Sequence, residues 1–301
     1  MKGTDVVIST ISGDPQLALI EAAATAQVRH FIPSAFSGPE QTQSFLSDTW
    51  SRMLALLEHH EVASSLRYTV FTCGIFYERF GPGGLNTLQI SIFNNRHGAV
   101  GEEGNFLIDV KSGRTIIPVV PDAELAICMT SARDVARYVV ATLQGYEDLT
   151  LWPKEFKFCT ERLTMSHLLA ICSRVRGTPI LPSFTNSASL LHAYEAAQQA
   201  GDDNKALSIS QHIAVAQAHP ALNFSSTEVN LPAEILAFAQ MSGTEPAPCE
   251  RFETWLLQAL HTPTPPASST GQRLSATASG KTSGKTSRSG SSQKSRGSTS
   301  K

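Results

Sequence analysis

The opening of the chain alternates short apolar runs with amphipathic segments, and this alternation restricts the fold more than any other feature. The run VVI at residues 6–8 is typical of strands that are buried on both faces. Asp14 and Pro15 then mark a helix start, with Asp14 predicted as the capping carboxylate. A second strand is predicted at residues 30–32 and a second helix at about residues 45–60. Strands that alternate with helices predict an α/β fold with a parallel sheet.

The rest of the body mixes strand and helix signals. Strands are predicted at residues 68–72, 115–120 and 156–160, and helices at about 131–143, 164–177, 187–200, 204–218 and 249–260. Because helical signals dominate its second part, we predict a smaller, more helical lobe at residues 151–262.

The end of the chain differs in composition from everything before it. Residues 263–301 are rich in Ser, Thr, Gly and Lys and carry seven basic side chains and no acidic one. Such a segment cannot bury enough apolar surface to fold, so we predict a disordered basic tail. The body then has 17 basic against 26 acidic residues, a net charge of −9. An acidic body argues against a specific nucleic-acid-binding face.

The five cysteines are widely spaced, with no Cys-x-x-Cys pair. This pattern favours reduced thiols in a cytoplasmic protein over disulfides, and it predicts no metal site. No apolar run approaches the roughly 20 residues that a membrane-spanning helix needs.

Five segments of the sequence carry a family resemblance. They are DVVIST at residues 5–10, VRHFIPSAF at 28–36, YTVFTCGIF at 68–76, MTSARDVA at 129–136 and WPKEF at 152–156. Together they resemble the NmrA-like branch of atypical short-chain dehydrogenases, which includes the isoflavone and phenylcoumaran reductases. The resemblance covers about residues 4–180 and implies a Rossmann-like, doubly wound sheet in residues 1–150 that binds NADP or NAD.

The resemblance also assigns cofactor-binding positions at three strand ends. These are Ser9, Thr10 and Ile11 after the first strand, Pro33 and Ser34 after the second, and Gly74, Ile75 and Phe76 after the third. The carboxyl ends of parallel strands are where such sheets bind ligands. The same residues are equally consistent with ordinary turns, and Phe76 with an ordinary core residue.

Two features that the family uses are not found in the printed sequence. Family members open with a strand and a Gly-x-x-Gly-x-x-Gly turn that receives the cofactor pyrophosphate, whereas the glycines at residues 81–84 follow the third strand and position 86 is Asn. The dinucleotide-binding domain is therefore predicted to be partial and its cofactor binding weak. Arg52 stands where the reductases have a catalytic lysine, six residues before Glu58. Arginine stays charged near neutral pH, so Arg52 could anchor an anion or be a solvated surface residue.

Three hypotheses of function remain open at this point. The first is an NAD(P)H-dependent reductase of a small organic substrate, active in a full-length form. The second is a non-enzymatic relative that senses a nucleotide or binds a partner, and the third is an inactive truncated remnant. Since the strand at residues 6–8 would lie beside an absent first strand, we also predict self-association through an exposed sheet edge.

Overall fold

The computed structural model describes residues 2–11, 13–36, 48–64, 66–84, 107–118, 125–145, 148–217, 219, 222–242 and 245–261. The strands are β1 (Val6–Ile8), β2 (His30–Ile32), β3 (Arg67–Tyr68), β4 (Val70–Thr72), β5 (Ile75–Phe76), β6 (Ile108–Asp109), β7 (Arg114–Pro118), β8 (Ala126–Thr130), β9 (Glu155–Lys157), β10 (Glu161–Thr164), β11 (Leu181–Thr185), β12 (Met241–Ser242) and β13 (Glu245–Pro246). The α-helices are α1 (Asp14–Thr25), α2 (Asp48–Ser64), α3 (Ala132–Gly145), α4 (Met165–Arg176), α5 (Ser187–Gln199), α6 (Asp203–Ala216), α7 (Ala233–Ala239) and α8 (Phe252–His261). The tail predicted at residues 263–301 lies outside the described residues.

A parallel sheet forms the part of the fold that the opening pattern predicts. Strands β1, β2 and β3 are neighbours in that order, and β4 pairs in parallel with β9. The side on which the backbone is paired alternates between neighbouring residues here. Thr69 N–H donates to the Phe31 carbonyl at 3.1 Å, and Val70 N–H donates to the Lys154 carbonyl at 2.9 Å. Strands β3 and β4 therefore act as one strand with a neighbour on each side. The predicted α/β class and Rossmann-like parallel sheet are confirmed.

Helices α1 and α2 cover this sheet and supply its core. Ile20 from α1, Phe31 from β2 and Leu57 from α2 are fully buried in one hydrophobic cluster. Each such side chain adds about 1.5–3 kcal/mol of stability when it leaves water. Because the buried side chains come from consecutive elements, this burial holds the helices that connect the strands against the sheet.

Smaller sheets extend the architecture. Strand β8 pairs in parallel with β5 and antiparallel with β10, and β7 pairs in parallel with β11 and antiparallel with β6. The sequence pattern does not predict β8 or β10. All five residues of β8 are buried, so this strand lacks the alternation of apolar and polar residues that marks half-exposed strands.

Two helix termini follow the sequence rules, and one does not. Thr164 accepts the His167 N–H at 3.2 Å at the start of α4, and the helix ends at Gly177 with φ 76°. The predicted cap at Asp14 is wrong. The capping position of α1 is Gly13, without a side-chain cap, and Asp14 lies in the first turn instead.

Residues Met1–Thr264 form one compact unit. Strands β9 and β10 come from the second part of the chain and pair with β4 and β8 from the first. The domain boundary at residue 150 stays a prediction. Within the described ranges, no helix combines the length and the apolar character that crossing a membrane requires.

Gly74 generates a prediction about stability. Its φ is +73°, and a Cβ at this position would lie 2.1 Å from the Cys128 carbonyl oxygen of β8. Gly74→Ala should therefore lower the free energy of unfolding by about 3 kcal/mol or more, combining backbone strain with a steric clash. Gly177 has a similar φ of +76° but open space around it, so Gly177→Ala should cost only about 1 kcal/mol. Urea denaturation of both variants measures the difference, and equal losses would contradict the close packing of Gly74 on β8.

The outer edge of β1 generates a second prediction. Among the described strands β1 pairs with β2 only, and Ile8 is 38% exposed. An uncharged apolar edge is a template for pairing with another chain, so we expect the 301-residue chain to self-associate and Ile8→Lys to reduce that association. Light scattering after size-exclusion chromatography tests both proteins, and a wild-type monomer at high concentration would refute the prediction.

Candidate functional site

The three segments predicted to bind a cofactor meet at the carboxyl edge of the parallel sheet. Ser9 N–H, just after β1, donates to the Ile32 carbonyl at 2.8 Å. Cys73 N–H, just after β4, donates to the carbonyl of Phe36 at 3.4 Å. These backbone bonds hold the loops after β1, β2 and β4 side by side, as the parallel order requires. We call this region the carboxyl edge.

The loop after β1 combines a buried residue with accessible ones. Ser9 is 1% exposed, and its Oγ donates to the Ile11 carbonyl at 3.1 Å and accepts from the Ile11 N–H at 3.4 Å. Thr10 is exposed and Ile11 half-buried. Ser9 therefore shapes the turn, whereas Thr10 and Ile11 are the residues of this loop that a ligand can reach.

The loop after β2 depends on a residue that our sequence analysis missed. Ser34 N–H donates to Gln16 Oε1 at 2.5 Å, and Gln16 Nε2 lies 3.1 Å from Met53 Sδ. Pro33 and Gln16 are buried, while Ser34 is half-buried. Gln16 thus ties α1, α2 and the β2 loop together. A buried glutamine near a helix start has no signal in the sequence that separates it from a surface glutamine.

The segment after β4 is buried in the fold. Gly74, Ile75 and Phe76 are all buried, and the last two form β5 against Met129 and Thr130 of β8. Their backbone pairing with β8 fixes the position of the segment that follows β4. Their predicted role in cofactor binding stays a prediction.

Arg52 lies close to the carboxyl edge, next to Met53 in the chain, and is ion-paired. Its Nη1 is 3.3 Å from Asp14 Oδ1, and the two side chains are 48% and 79% exposed. An exposed pair of this kind contributes at most about 1 kcal/mol. Asp14 therefore offsets only part of the charge that Arg52 would offer to a phosphate.

Glu78 is a titratable residue at the start of α3 that the sequence pattern does not identify. It follows β5, is 6% exposed, and both of its carboxylate oxygens accept the Ala132 N–H of α3 at 3.1 Å. Burial raises the pKa of Glu78 to about 7, against the lowering effect of these backbone hydrogen bonds. Glu78 can therefore gain or lose a proton near neutral pH.

The tyrosines of the described residues keep their hydroxyls protonated near neutral pH. Burial raises the pKa of each of them above its ordinary value; they are Tyr68, Tyr77, Tyr138 and Tyr194. In the same part of the chain, no group of three or more His, Cys, Asp or Glu residues is placed to hold a metal ion.

A nicotinamide dinucleotide fits this edge only in part. Thr10, Ile11 and Ser34 present accessible groups at the strand ends, which suits one flank of a nucleotide. Nothing in the described residues supplies a glycine-rich turn for the pyrophosphate, and Arg52 is engaged by Asp14. The residues present would hold one flank of the cofactor and leave its pyrophosphate without a specific binding turn.

Glu78 generates a prediction about pH. Its pKa is about 7 in the folded protein against an ordinary value of 4.5, so its contribution to stability is complete below pH 4.5 and is lost as the pH rises through 7. Glu78→Gln cannot ionise but keeps an oxygen for the Ala132 N–H. Between pH 4.5 and 8, the variant should gain up to about 3 kcal/mol relative to wild type. Urea denaturation across this range measures the gain, and parallel profiles for the two proteins would contradict the raised pKa.

Comparison with protein families gives one match. The sequence profile of the NmrA-like family matches residues 1–217. No curated protein matches the sequence.

Solved structures share the fold at low sequence identity. A nucleoside-diphosphate-sugar epimerase from Staphylococcus aureus is 20% identical, with 85% of this chain and 77% of that chain covered and a TM-score of 0.51. AtPrR2, solved with NADP+ and (+)pinoresinol, is 17% identical, with 85% and 75% covered and a TM-score of 0.52. The Citrobacter sp. triphenylmethane reductase, solved with NADP(H), is 13% identical, with 86% and 78% covered and a TM-score of 0.51. At these identities the likeness establishes the fold.

Proposed function

The chain belongs to the NmrA-like family, and on that premise we propose that it is a nicotinamide dinucleotide-linked reductase of a small organic substrate. The observation that carries the proposal is the carboxyl edge, where hydrogen bonds hold the loops after β1, β2 and β4 together. Open α/β sheets bind their ligands at this end of the strands.

The solved neighbours support the choice of cofactor. AtPrR2 was solved with NADP+ and the Citrobacter sp. reductase with NADP(H). The proposal for this chain covers NAD and NADP alike.

Each part of the carboxyl edge would have a role in binding the dinucleotide. Thr10, Ile11 and Ser34 would contact the dinucleotide, because they are the accessible residues of their loops. Ser9 and Gln16 would position them through the hydrogen bonds to Ile11 and to the Ser34 N–H. When bound, the dinucleotide would supply the hydride for reduction.

A second candidate function is a non-enzymatic nucleotide sensor or partner-binding regulator. The specific observation that favours it is that Arg52, which the family resemblance aligns with the reductases' lysine, pairs with Asp14. Arginine cannot act as a general acid or base near neutral pH, and the tyrosines of the described residues have raised pKa values.

Titration with NADPH tests the proposed cofactor site. We expect the 301-residue chain to bind NADPH with a Kd weaker than roughly 10 µM, about −7 kcal/mol, since the pyrophosphate turn is not in the printed sequence. Thr10→Trp should weaken binding further by filling the carboxyl edge. Thr25→Trp is the matched control, because Thr25 is also exposed but ends α1 away from this edge.

Chemical-shift titration can measure dissociation constants in this range. Equal effects of Thr10→Trp and Thr25→Trp would exclude the carboxyl edge as the site. A low-micromolar Kd for the wild-type chain would show that the glycine-rich turn is dispensable.

Turnover separates the reductase from the regulator. The proteins to compare are wild type and Arg52→Lys, and the probes are pinoresinol and a triphenylmethane dye, with NADPH absorbance as the readout. Consumption of NADPH that Arg52→Lys increases would support the reductase. Nucleotide binding at the carboxyl edge without consumption by either protein would support the regulator.

A further inference from the structure

A cavity of about 610 Å³ lies apart from the carboxyl-edge loops. Its walls come from β10, from the start of α4, from α7 and from the segment that precedes α8. None of the residues predicted to bind the cofactor lines it. Its size is within the range of about 300–1,000 Å³ that is usual for sites of small organic ligands.

The acidic residue of this cavity has its charge offset within the protein. Glu161 accepts hydrogen bonds from Tyr77 Oη at 3.1 Å, from the Phe252 N–H at 2.5 Å and from Arg251 Nη1 at 3.0 Å. Its side chain is 9% exposed. Glu161 and Arg251 therefore form a neutral pair in the cavity wall.

Arg162 is different, because its fixed partner is neutral. Its Nε and Nη2 both donate to the side-chain oxygen of Asn223, at 3.1 and 2.7 Å. Within the described part of the chain, no carboxylate lies within ion-pair distance of Arg162. Asn223 holds the guanidinium in place without cancelling its charge, and Nη1 is not engaged by that contact.

Part of the remaining lining is apolar and accessible, namely Val229, Leu236 and Pro248. Leu163 and Tyr138 also border the cavity but are only 4% and 2% exposed. Thr160, His167 and Gln240 are polar lining residues. A cavity with a preorganised guanidinium and partly apolar walls matches a ligand that has one anionic group on an apolar framework.

We propose that this cavity binds a small organic anion, with a carboxylate on Arg162 and an aromatic or aliphatic body against Val229, Leu236 and Pro248. Arg162 supplies the charge and Asn223 is its positioning residue. Arg162 is an exposed residue, and its two hydrogen bonds to Asn223 restrict the guanidinium before a carboxylate binds, which lowers the entropic cost of binding. The site does not depend on the proposed nicotinamide function, since a different set of residues builds it.

Binding of 2-naphthoate tests the proposal, with 2-naphthamide as its neutral counterpart. Titration calorimetry on the full chain, without NADPH, should give saturable binding of naphthoate and at least about tenfold weaker binding of naphthamide, the difference expected for hydrogen bonds to a charged group.

Three variants test whether Arg162 supplies the positive charge that binds naphthoate. Arg162→Gln should remove the preference for naphthoate. Asn223→Asp changes the side chain little but places a carboxylate on Arg162, so it should remove the preference as well. Arg174→Gln is the matched control, because Arg174 lies on α4 with Glu253 as its partner and does not line the cavity.

Two outcomes would overturn the proposal. One is equal binding of naphthoate and naphthamide by the wild-type chain, or binding of neither. The other is a preference for naphthoate that survives in Arg162→Gln and Asn223→Asp. Thermal melts of each variant identify any loss of binding that comes from unfolding.

Discussion

Hydrogen bonding on both edges of residues 67–72 joins the two parts of this chain. Thr69 bonds to β2 on one side and Val70 to the segment before β9 on the other. Because β9 is some 85 residues further along the chain, this strand makes the second part of the sequence an integral portion of the sheet. The position of the loop after β4 is set by this strand. The Cys73 N–H in that loop bonds to the Phe36 carbonyl and so positions the loop after β2. The geometry of the carboxyl edge thus depends on a strand that is paired on both sides.

The residues of the carboxyl edge divide into those that build it and those that a ligand can reach. Ser9 and Gln16 are buried, and their side chains bond to backbone groups. Gly74 is buried against the Cys128 carbonyl. Thr10, Ile11 and Ser34 are accessible. A substitution in the first group should act through folding, and one in the second through binding. The same division separates Asn223, which positions, from Arg162, which carries the charge in the proposed anion site.

The sequence predicted the α/β class because β1, β2 and the first two helices each carry a local pattern. Hydrophobic runs and helical spacing locate such elements, and the caps at Thr164 and Gly177 follow the same local rules. The contacts of the candidate sites could not be predicted in this way. Gln16 meets Ser34, and Arg162 meets Asn223, across 18 and 61 residues of sequence. Such pairs are set by the packing of whole elements, and no local pattern encodes them. At Asp14 a local pattern gives the wrong prediction. The pattern predicts a helix cap there, whereas in the fold Asp14 pairs with Arg52.

A crystal structure of the 301-residue chain grown with millimolar NADP+ tests the central claim most directly. At the carboxyl edge, Thr10, Ile11 and Ser34 are accessible to a ligand from the loops after β1 and β2. The account predicts nucleotide density against these residues, at the carboxyl ends of β1 and β2. Nucleotide bound at any other surface, or a carboxyl edge that stays empty while NADP+ saturates another site, would contradict it.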